Sequence, residues 1–351
     1  MISICMITRD NEDTLERCLA SVAGLGDELI IADTGSCDST KEIARRFTSK
    51  IFDFPWTNNF SDAKNFTIAR ASQGWILAID ADETISVRDH PRIRTLCESE
   101  TYLGYYLVQR NYTNRSDSFC WVSCRDDVYD ESRVSSGYVP RNMLRLFRND
   151  SRIRFEGAVH DTVAVSIERI CADLTQATDI PIHHFGLLNR SPDRILKYIE
   201  MEKQHLRNDP FQEYQIGSQY HTIGNLGMAR EHLERSVNLN PDFTLALTEL
   251  GVVLIKQGDP ERARDMLVRS LQKSPQETAW DHLGIAVAMM GKLEEAIECF
   301  RNALALNGLN ANIHYNLAQT LRLRGNIEEA KDAYRRAVHL DPGFASRIPE
   351  E

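Results

Sequence analysis

The sequence predicts an α/β domain with a mainly parallel sheet, followed by an all-α solenoid of helix pairs. Three observations point there. Over the first two thirds of the 351 residues, short apolar runs alternate with stretches of helical periodicity. Acidic and hydroxyl residues gather just behind those apolar runs. In the last third, Gly217, Gly251, Gly284 and Ala318 recur at spacings of 34, 33 and 34 residues.

The elements follow in order. Ile2–Ile7 is short and apolar and has no basic stretch before it, so it is a first strand rather than a signal peptide. Glu12–Ala23 carries Leu15, Cys18, Leu19 and Val22 at helical spacing. Strands follow at Glu28–Ala32, Ile51–Phe54 and Gly74–Ile79, separated by helices at Asp38–Phe47 and Ser61–Ala71. Single helices between strands imply right-handed parallel crossovers. Ligands of such sheets bind at the carboxyl ends of the strands. Those ends read Thr8-Arg9-Asp10-Asn11, Asp33-Thr34-Gly35-Ser36 and Asp80-Ala81-Asp82-Glu83. Neither a glycine-rich dinucleotide turn nor a Walker-type phosphate loop is present. Two carboxylates at Asp80 and Asp82 would repel unless a divalent cation sits between them and phosphate oxygens, as Mg²⁺ or Mn²⁺ does. The plainer alternative is a solvated turn whose acidic residues cap the next helix. Ser36 and Asp38 suit helix caps better than ligands.

In the repeats, Ala229, Ala263, Ala296 and Ala330 share a frame, as do Leu233, Leu267, Phe300 and Tyr334. Gly224, Gly258, Gly291 and Gly325 fall between the two helices of each unit, and Pro241, Pro275 and Pro342 close three of them. The small residue allows close helix approach, and the large residue four positions after the alanine is expected to fill the gap against the next unit. In period and residue type this resembles the tetratricopeptide repeat. A terminal unit needs a polar cap, and no extra helix follows Pro342, so a second copy of the chain or a partner is expected to cover the last apolar face.

Thr8–Glu12, Ile31–Ser36, Phe60–Phe66 and Trp75–Glu83 together resemble the family 2 glycosyltransferases of the GT-A fold, a Rossmann-like mixed sheet that handles nucleotide-diphospho-sugars. Arg145–Arg148, Arg154–Asp161 and Ile182–Gly186 are similar to the branch of that family with C-terminal tetratricopeptide repeats. The resemblance implies inverting transfer of a hexosyl or N-acetylhexosaminyl group from a nucleotide donor, usually a UDP-sugar, with Mn²⁺ or Mg²⁺ as cofactor. Carried over, it implies donor contacts at Thr8, Asp33, Lys64, Asn65 and Asp80, with Asp33 on the uracil. It implies metal ligands at Asp82 and His184. Inversion in one displacement needs a base for the acceptor's proton. Asp161 is chosen, with Glu156 as the other candidate. His183 and His160 are alternatively packed histidines. Tyr112–Arg141, with Tyr112, Trp121, Tyr129 and Tyr138, is long and polar: an insertion that closes on donor or acceptor, or a surface hairpin.

Composition bounds the rest. With 41 Lys and Arg against 51 Asp and Glu, the net charge is −10, which argues against a general nucleic-acid binder. Eight cysteines are too few for a disulfide scaffold, and the close pair Cys120 and Cys124 lacks a second pair for zinc. With no apolar run long enough to span a membrane, the expected location is the cytoplasm, including the inner face of the membrane. The expected division is 1–190 for the transferase domain, 191–208 for a connecting helix started by Ser191-Pro192-Asp193, 209–343 for four repeats and 344–351 for a tail. The expected acceptor is a protein or peptide recruited by the repeats. The alternatives are a lipid-linked or polysaccharide acceptor, a nucleotidyl transferase, or an inactive repeat scaffold.

Overall fold

The computed structural model describes residues 1–114, 121–186, 188 and 192–348. Cys120, Ser191 and the end of the tail lie outside the described residues, as do 115–120 of the polar insertion. The chain divides into two compact units, the first holding Met1–Asn114 and Cys124–Arg190, the second built on Ser191–Glu351.

In the first unit, strands β1 (Ile2–Thr8), β2 (Glu28–Asp33), β3 (Ile51–Asp53) and β4 (Trp75–Ala78) are joined by helices α1 (Leu15–Val22), α2 (Thr40–Arg45) and α3 (Phe60–Ile68). These elements sit where the periodicity put them, one to three residues shorter at most ends. They pair in parallel, β2 between β3 and β1, β1 between β2 and β4. The sheet then becomes mixed. It continues through β5 (Glu83–Thr84), β6 (Gly104–Thr113), β7 (Val122–Ser123), β8 (Gly137–Arg148) and β9 (Thr175–His184), with α4 (His90–Leu96) and α5 (Ala164–Cys171) alongside. Its order is β3-β2-β1-β4-β8-β6-β9-β5, with β7 on β8. The sheet is parallel from β3 to β4, antiparallel at β4–β8, β8–β6 and β9–β5, and parallel again between β6 and β9. Apolar residues from both faces are fully buried, among them Ile4, Met6, Leu77 and Leu146 on one side and Cys5, Ile30, Ile76 and Phe147 on the other.

The insertion is partly sheet. Tyr112 and Tyr138 are strand residues directly opposite each other in the β6–β8 hairpin. Trp121 and Tyr129 are buried, so these aromatics stabilise the insertion rather than face a ligand. Tyr129 stacks between the guanidinium groups of Arg88 and Arg110, at 4.8 and 4.7 Å.

The second unit begins with α6 (Pro192–Gln204), whose Ile195 and Ile199 join the core of the repeats, whereas Leu196 is exposed. The four repeats are the helix pairs α7 (Pro210–Thr222) and α8 (Leu226–Leu239), α9 (Thr244–Lys256) and α10 (Pro260–Lys273), α11 (Glu277–Met289) and α12 (Leu293–Leu306), and α13 (Ala311–Arg324) and α14 (Ile327–Leu340). The glycine frame has a steric cause. A Cβ at Gly217, Gly251 or Gly284 would come within 2.7, 2.6 or 2.6 Å of Leu233, Leu267 or Phe300. The large residue therefore seats on the glycine of its own unit. The inter-helix glycines, such as Gly258 with φ +78°, take the left-handed conformation that turns the chain between helices. The last apolar face is covered in part by the chain itself: Phe344, in a short 3₁₀ turn after α14, is buried against Ala311 and Ala337, with its ring 5.1 Å from Tyr315.

Candidate active site

The carboxyl ends of β1, β2 and β4 lie side by side, because Thr8 pairs with Asp33 and Cys5 with Ala78. The loops behind them are tied together. Asp10, at φ +49°, donates its amide to Ser36 Oγ at 3.0 Å and accepts from the Cys37 amide at 2.8 Å. Asp38 accepts from the Glu12 and Thr40 amides, at 3.1 and 2.9 Å, so it ties the two loops together just ahead of α2, whose cap position is Ser39. Ser36 instead donates to Asp33 and belongs to the turn rather than to a helix cap. The Asp33 side chain is fully buried. It accepts from the amides of Gly35 and Ser36 at 3.0 and 2.9 Å, and Lys41 Nζ lies 3.4 Å away. Burial pushes its carboxyl up, but the Ser36 and Gly35 bonds and Lys41 hold it below its ordinary value. Thr8 Oγ1 donates to Asn11 Oδ1 at 3.0 Å.

A buried charge cluster stands behind β4. Asp80 is gripped by two cations: Lys64 Nζ at 3.1 Å and Arg145 Nη2 at 2.6 Å. Arg145 also donates to Glu83 at 3.1 Å, and Gln109 donates to the same Glu83 carboxylate. Burial opposes ionisation of Asp80, yet Arg145 and Lys64 hold its carboxyl far below the usual range. Glu83 goes the other way: burial, aided by the charge of Asp80, keeps its carboxyl above the ordinary value despite Arg145. Lys64 reaches a third carboxylate, Asp161 Oδ2, at 2.8 Å. Burial works against its charge, but Asp161 and Asp80 keep the ammonium above its ordinary value.

The other half of the site comes from β9. The two-residue strand β5 starts directly behind Asp82 and pairs with His183 and His184. His184 Nε2 faces Asp82 Oδ2 at 3.5 Å. Its Nδ1 lies 2.7 Å from Asn111 Oδ1, and the Asn111 amide nitrogen donates to Val139 O at 3.1 Å. The Asn111 oxygen therefore accepts and Nδ1 carries a proton, which leaves Nε2 as the nitrogen that faces Asp82: a donor to it when protonated, a ligand atom when not. Burial pushes the imidazole down, but Asp82, with Glu83 and Asp80 behind it, raises it above its ordinary value. A Cβ at Gly186 would fall 2.5 Å from Asp82 Oδ2 and 2.6 Å from His184 Nε2. Asp82 Oδ2 and His184 Nε2 therefore pack directly on the Cα of residue 186 and converge beside it as a carboxylate oxygen and an imidazole nitrogen. That donor set suits Mn²⁺, and two protein ligands leave room for phosphate oxygens. Among the described residues no group of three or more His, Cys, Asp or Glu side chains could hold a metal alone.

His183 is different. It is wholly buried, with Nδ1 2.7 Å from the Tyr112 hydroxyl and its ring parallel to Tyr112, and burial lowers it to about 3. It is a packed, neutral histidine.

Asn65 spends both ends of its amide on Phe155: Nδ2 donates to the carbonyl and Oδ1 accepts from the amide, each at 2.9 Å. Glu156 is partly exposed and pairs with Arg169, with Nη2 2.9 Å from Oε2. Asp161 is the more enclosed of the two base candidates, and it alone touches the charge cluster, through Lys64. Arg145, Glu83, Gln109 and Asn111 belong to the site beyond the residues singled out from the sequence. Arg145 stood in a quoted motif, but only the β4–β8 pairing reveals that it reaches Asp80.

The model of glycosyl transferase family 2 matches residues 3–148. Tetratricopeptide repeat models match residues 214–243, 244–269 and 283–343. A TPR repeat-containing protein of Synechococcus elongatus is 29% identical over 357 aligned positions, covering 97% of this chain and 76% of that protein. An uncharacterized glycosyltransferase of Rickettsia typhi is 32% identical over 109 residues, 30% of this chain and 37% of its own length. The glycosyltransferase SunS of Bacillus phage SPbeta is 23% identical over 251 residues, 68% of this chain and 53% of its own. The chain thus spans about half or less of the two named glycosyltransferases. Among solved structures, MamA from Desulfovibrio magneticus RS-1 is 24% identical, with a TM-score of 0.41, over 45% of this chain and 90% of that one. No helix among the described residues is long and apolar enough to cross a membrane. The chain joins a family 2 glycosyltransferase domain to a run of tetratricopeptide repeats.

Proposed function

We propose that the protein is a metal-dependent, inverting transferase that moves a sugar from a UDP-sugar to a protein or peptide acceptor. The observation that carries this reading is the convergence of Asp82 Oδ2 and His184 Nε2, 3.5 Å apart, beside the Asp80–Lys64–Asp161 chain. Asp80, Asp82, Glu83 and Asp161 hold more negative charge than Lys64 and Arg145 cancel, so the site favours a divalent cation with the donor's diphosphate. Asp82 and His184 would hold that cation. Bound there, it would neutralise the charge that builds on the departing diphosphate.

The remaining roles fall to the chain itself. Thr8 and the Asp33 turn form the floor at the ends of β1 and β2, where a nucleoside would rest. Asp33 reaches a base only if the Ser36 hydroxyl turns away, so it also shapes the turn. Asp80, fixed by two cations, stays ionised and can accept from a ribose hydroxyl. Asp161 takes the proton of the acceptor as its nucleophilic atom bonds to the anomeric carbon. The bond from that carbon to the diphosphate oxygen breaks, and its electron pair leaves with UDP. The first helices of the repeats carry a row of polar side chains, with His221 on Glu249 at 2.7 Å and Asn316 on Asp281 at 3.0 Å. Such a row supports recognition of an extended polypeptide.

The test is UDP release from a panel of UDP-sugars with Mn²⁺, with Mg²⁺ and with chelator, for the wild type and Asp82→Ala. Release is expected from one sugar, lost in chelator and reduced about 100-fold or more in the variant. Release that persists unchanged in chelator and in Asp82→Ala would remove the metal role.

A further inference from the structure

The residues that shape the site's acceptor side hang from a single helix. Segment 155–161 touches α3 at four points. Phe155 exchanges two hydrogen bonds with Asn65, Ser61 Oγ donates to Gly157 O at 2.6 Å, and the Phe60 amide donates to Ala158 O at 2.7 Å. The fourth point is the Lys64–Asp161 ion pair. The segment's own shape is fixed. Glu156 and Thr162 close its neck with paired backbone bonds of 2.9 and 3.0 Å. Gly157 holds φ +104°, and a Cβ there would come within 2.6 Å of His160 O. What stays adjustable is the direction of the Asp161 side chain. Lys64 removes that freedom.

We propose that Lys64 is a positioning residue for Asp161, and that its ammonium does not grip the donor's diphosphate. This rests on the reading of Asp161 as the base. The Lys64 side chain is 9% exposed and already lies between two carboxylates. A diphosphate would have to compete with Asp80 and Asp161 for the same ammonium, and taking it from Asp161 would leave that enclosed carboxylate short of its partner. Arg145 already serves Asp80, so what Lys64 adds is the link to Asp161. The pairing engages Oδ2 and leaves Oδ1 to take a proton. Because α3 also packs on β1 and β2, which form the nucleoside floor, one rigid helix sets the distance from donor to base. Ser61, Lys64 and Asn65 lie one turn apart on its inner face.

The experiment compares wild type, Lys64→Met and Lys64→Arg by three readouts: amide hydrogen exchange over 156–162, calorimetric binding of UDP and of uridine, and UDP release from the active donor. Lys64→Met is expected to speed exchange over 157–161, leave UDP affinity within about threefold, and cut turnover on the order of 100-fold. Lys64→Arg should restore part of the turnover. A selective loss of UDP binding, with uridine binding kept and exchange unchanged, would overturn the proposal and hand Lys64 to the diphosphate. The exchange readout needs no ligand, so it decides the tether even if UDP is the wrong nucleotide. An Asp161→Asn variant that releases UDP at the wild-type rate would sink the base reading separately. If Lys64→Met does not fold, Ser61→Ala loosens the same loop without altering charge. Faster exchange there with unchanged UDP affinity supports the proposal, and unchanged exchange opposes it.

Discussion

At residue 186 only a hydrogen fits against Asp82 and His184, the two proposed metal ligands, since a Cβ would overlap both, at 2.5 and 2.6 Å. Gly186→Ala should therefore push Asp82 and His184 apart while removing no charge. Mn²⁺ affinity is expected to fall at least about tenfold, as for other changes next to ligands, with melting temperature little altered. A Mn²⁺ titration followed by electron paramagnetic resonance checks this, and unchanged affinity would place the cation elsewhere. Asp82 and His184 were legible in the sequence because an Asp-x-Asp run behind an apolar strand and tandem histidines are local patterns. Arg145 and Asn111 were not. Each is a lone polar residue in a long antiparallel strand, and what makes it part of the site is cross-strand geometry, which one sequence does not carry. Asn65 illustrates the opposite error: adjacency to Lys64 suggests a ligand, but its amide matches the Phe155 backbone and serves as a clamp.

Among the elements, the parallel half of the sheet was readable to within a few residues, since short buried strands and amphipathic helices differ in period. The other half was less so, because it mixes antiparallel pairs with the parallel β6–β9 pair and Tyr112–Arg141 mixes strand and irregular chain with no sustained alternation. The far end of the sheet holds a device that periodicity could not show. Glu28, at the start of β2, accepts from Ser3 Oγ, from Lys50, and from the amide of Ser72 at 2.8 Å. Burial raises its carboxyl, but the Lys50, Ser3 and Ser72 bonds outweigh that and bring it down to about 2. A carboxylate with a depressed folded value contributes stability above its unfolded value of about 4.3, and loses it as pH falls toward about 2. Glu28→Gln should cost on the order of 2 kcal/mol at neutral pH and much less near pH 2. Urea unfolding of both proteins at pH 7 and pH 2.5 measures it. An equal cost at both values would show that the carboxylate's charge is not what the network stabilises.

On the scale of the molecule, two architectures with different logic share one chain. The repeats are local: each glycine meets a leucine or phenylalanine sixteen residues on, so a 34-residue register in the sequence already states the packing. The transferase domain is not local, and its two proposed metal ligands lie 102 positions apart in sequence. The two-residue strand β5 brings residue 82 against residue 184, after β6 and β8 have intervened. This has a consequence in time. Pairings between residues far apart in sequence form late, because loop closure must precede them. The parallel core of β1, β2 and β4 should gain protection first, and the β5–β9 ladder last. Pulsed hydrogen exchange during refolding would show that order; simultaneous protection of Thr84 and Ile4 would refute it. If it holds, the nascent domain forms the proposed nucleoside floor well before the proposed cation ligands meet, and the site stays incomplete until residue 184 has been placed.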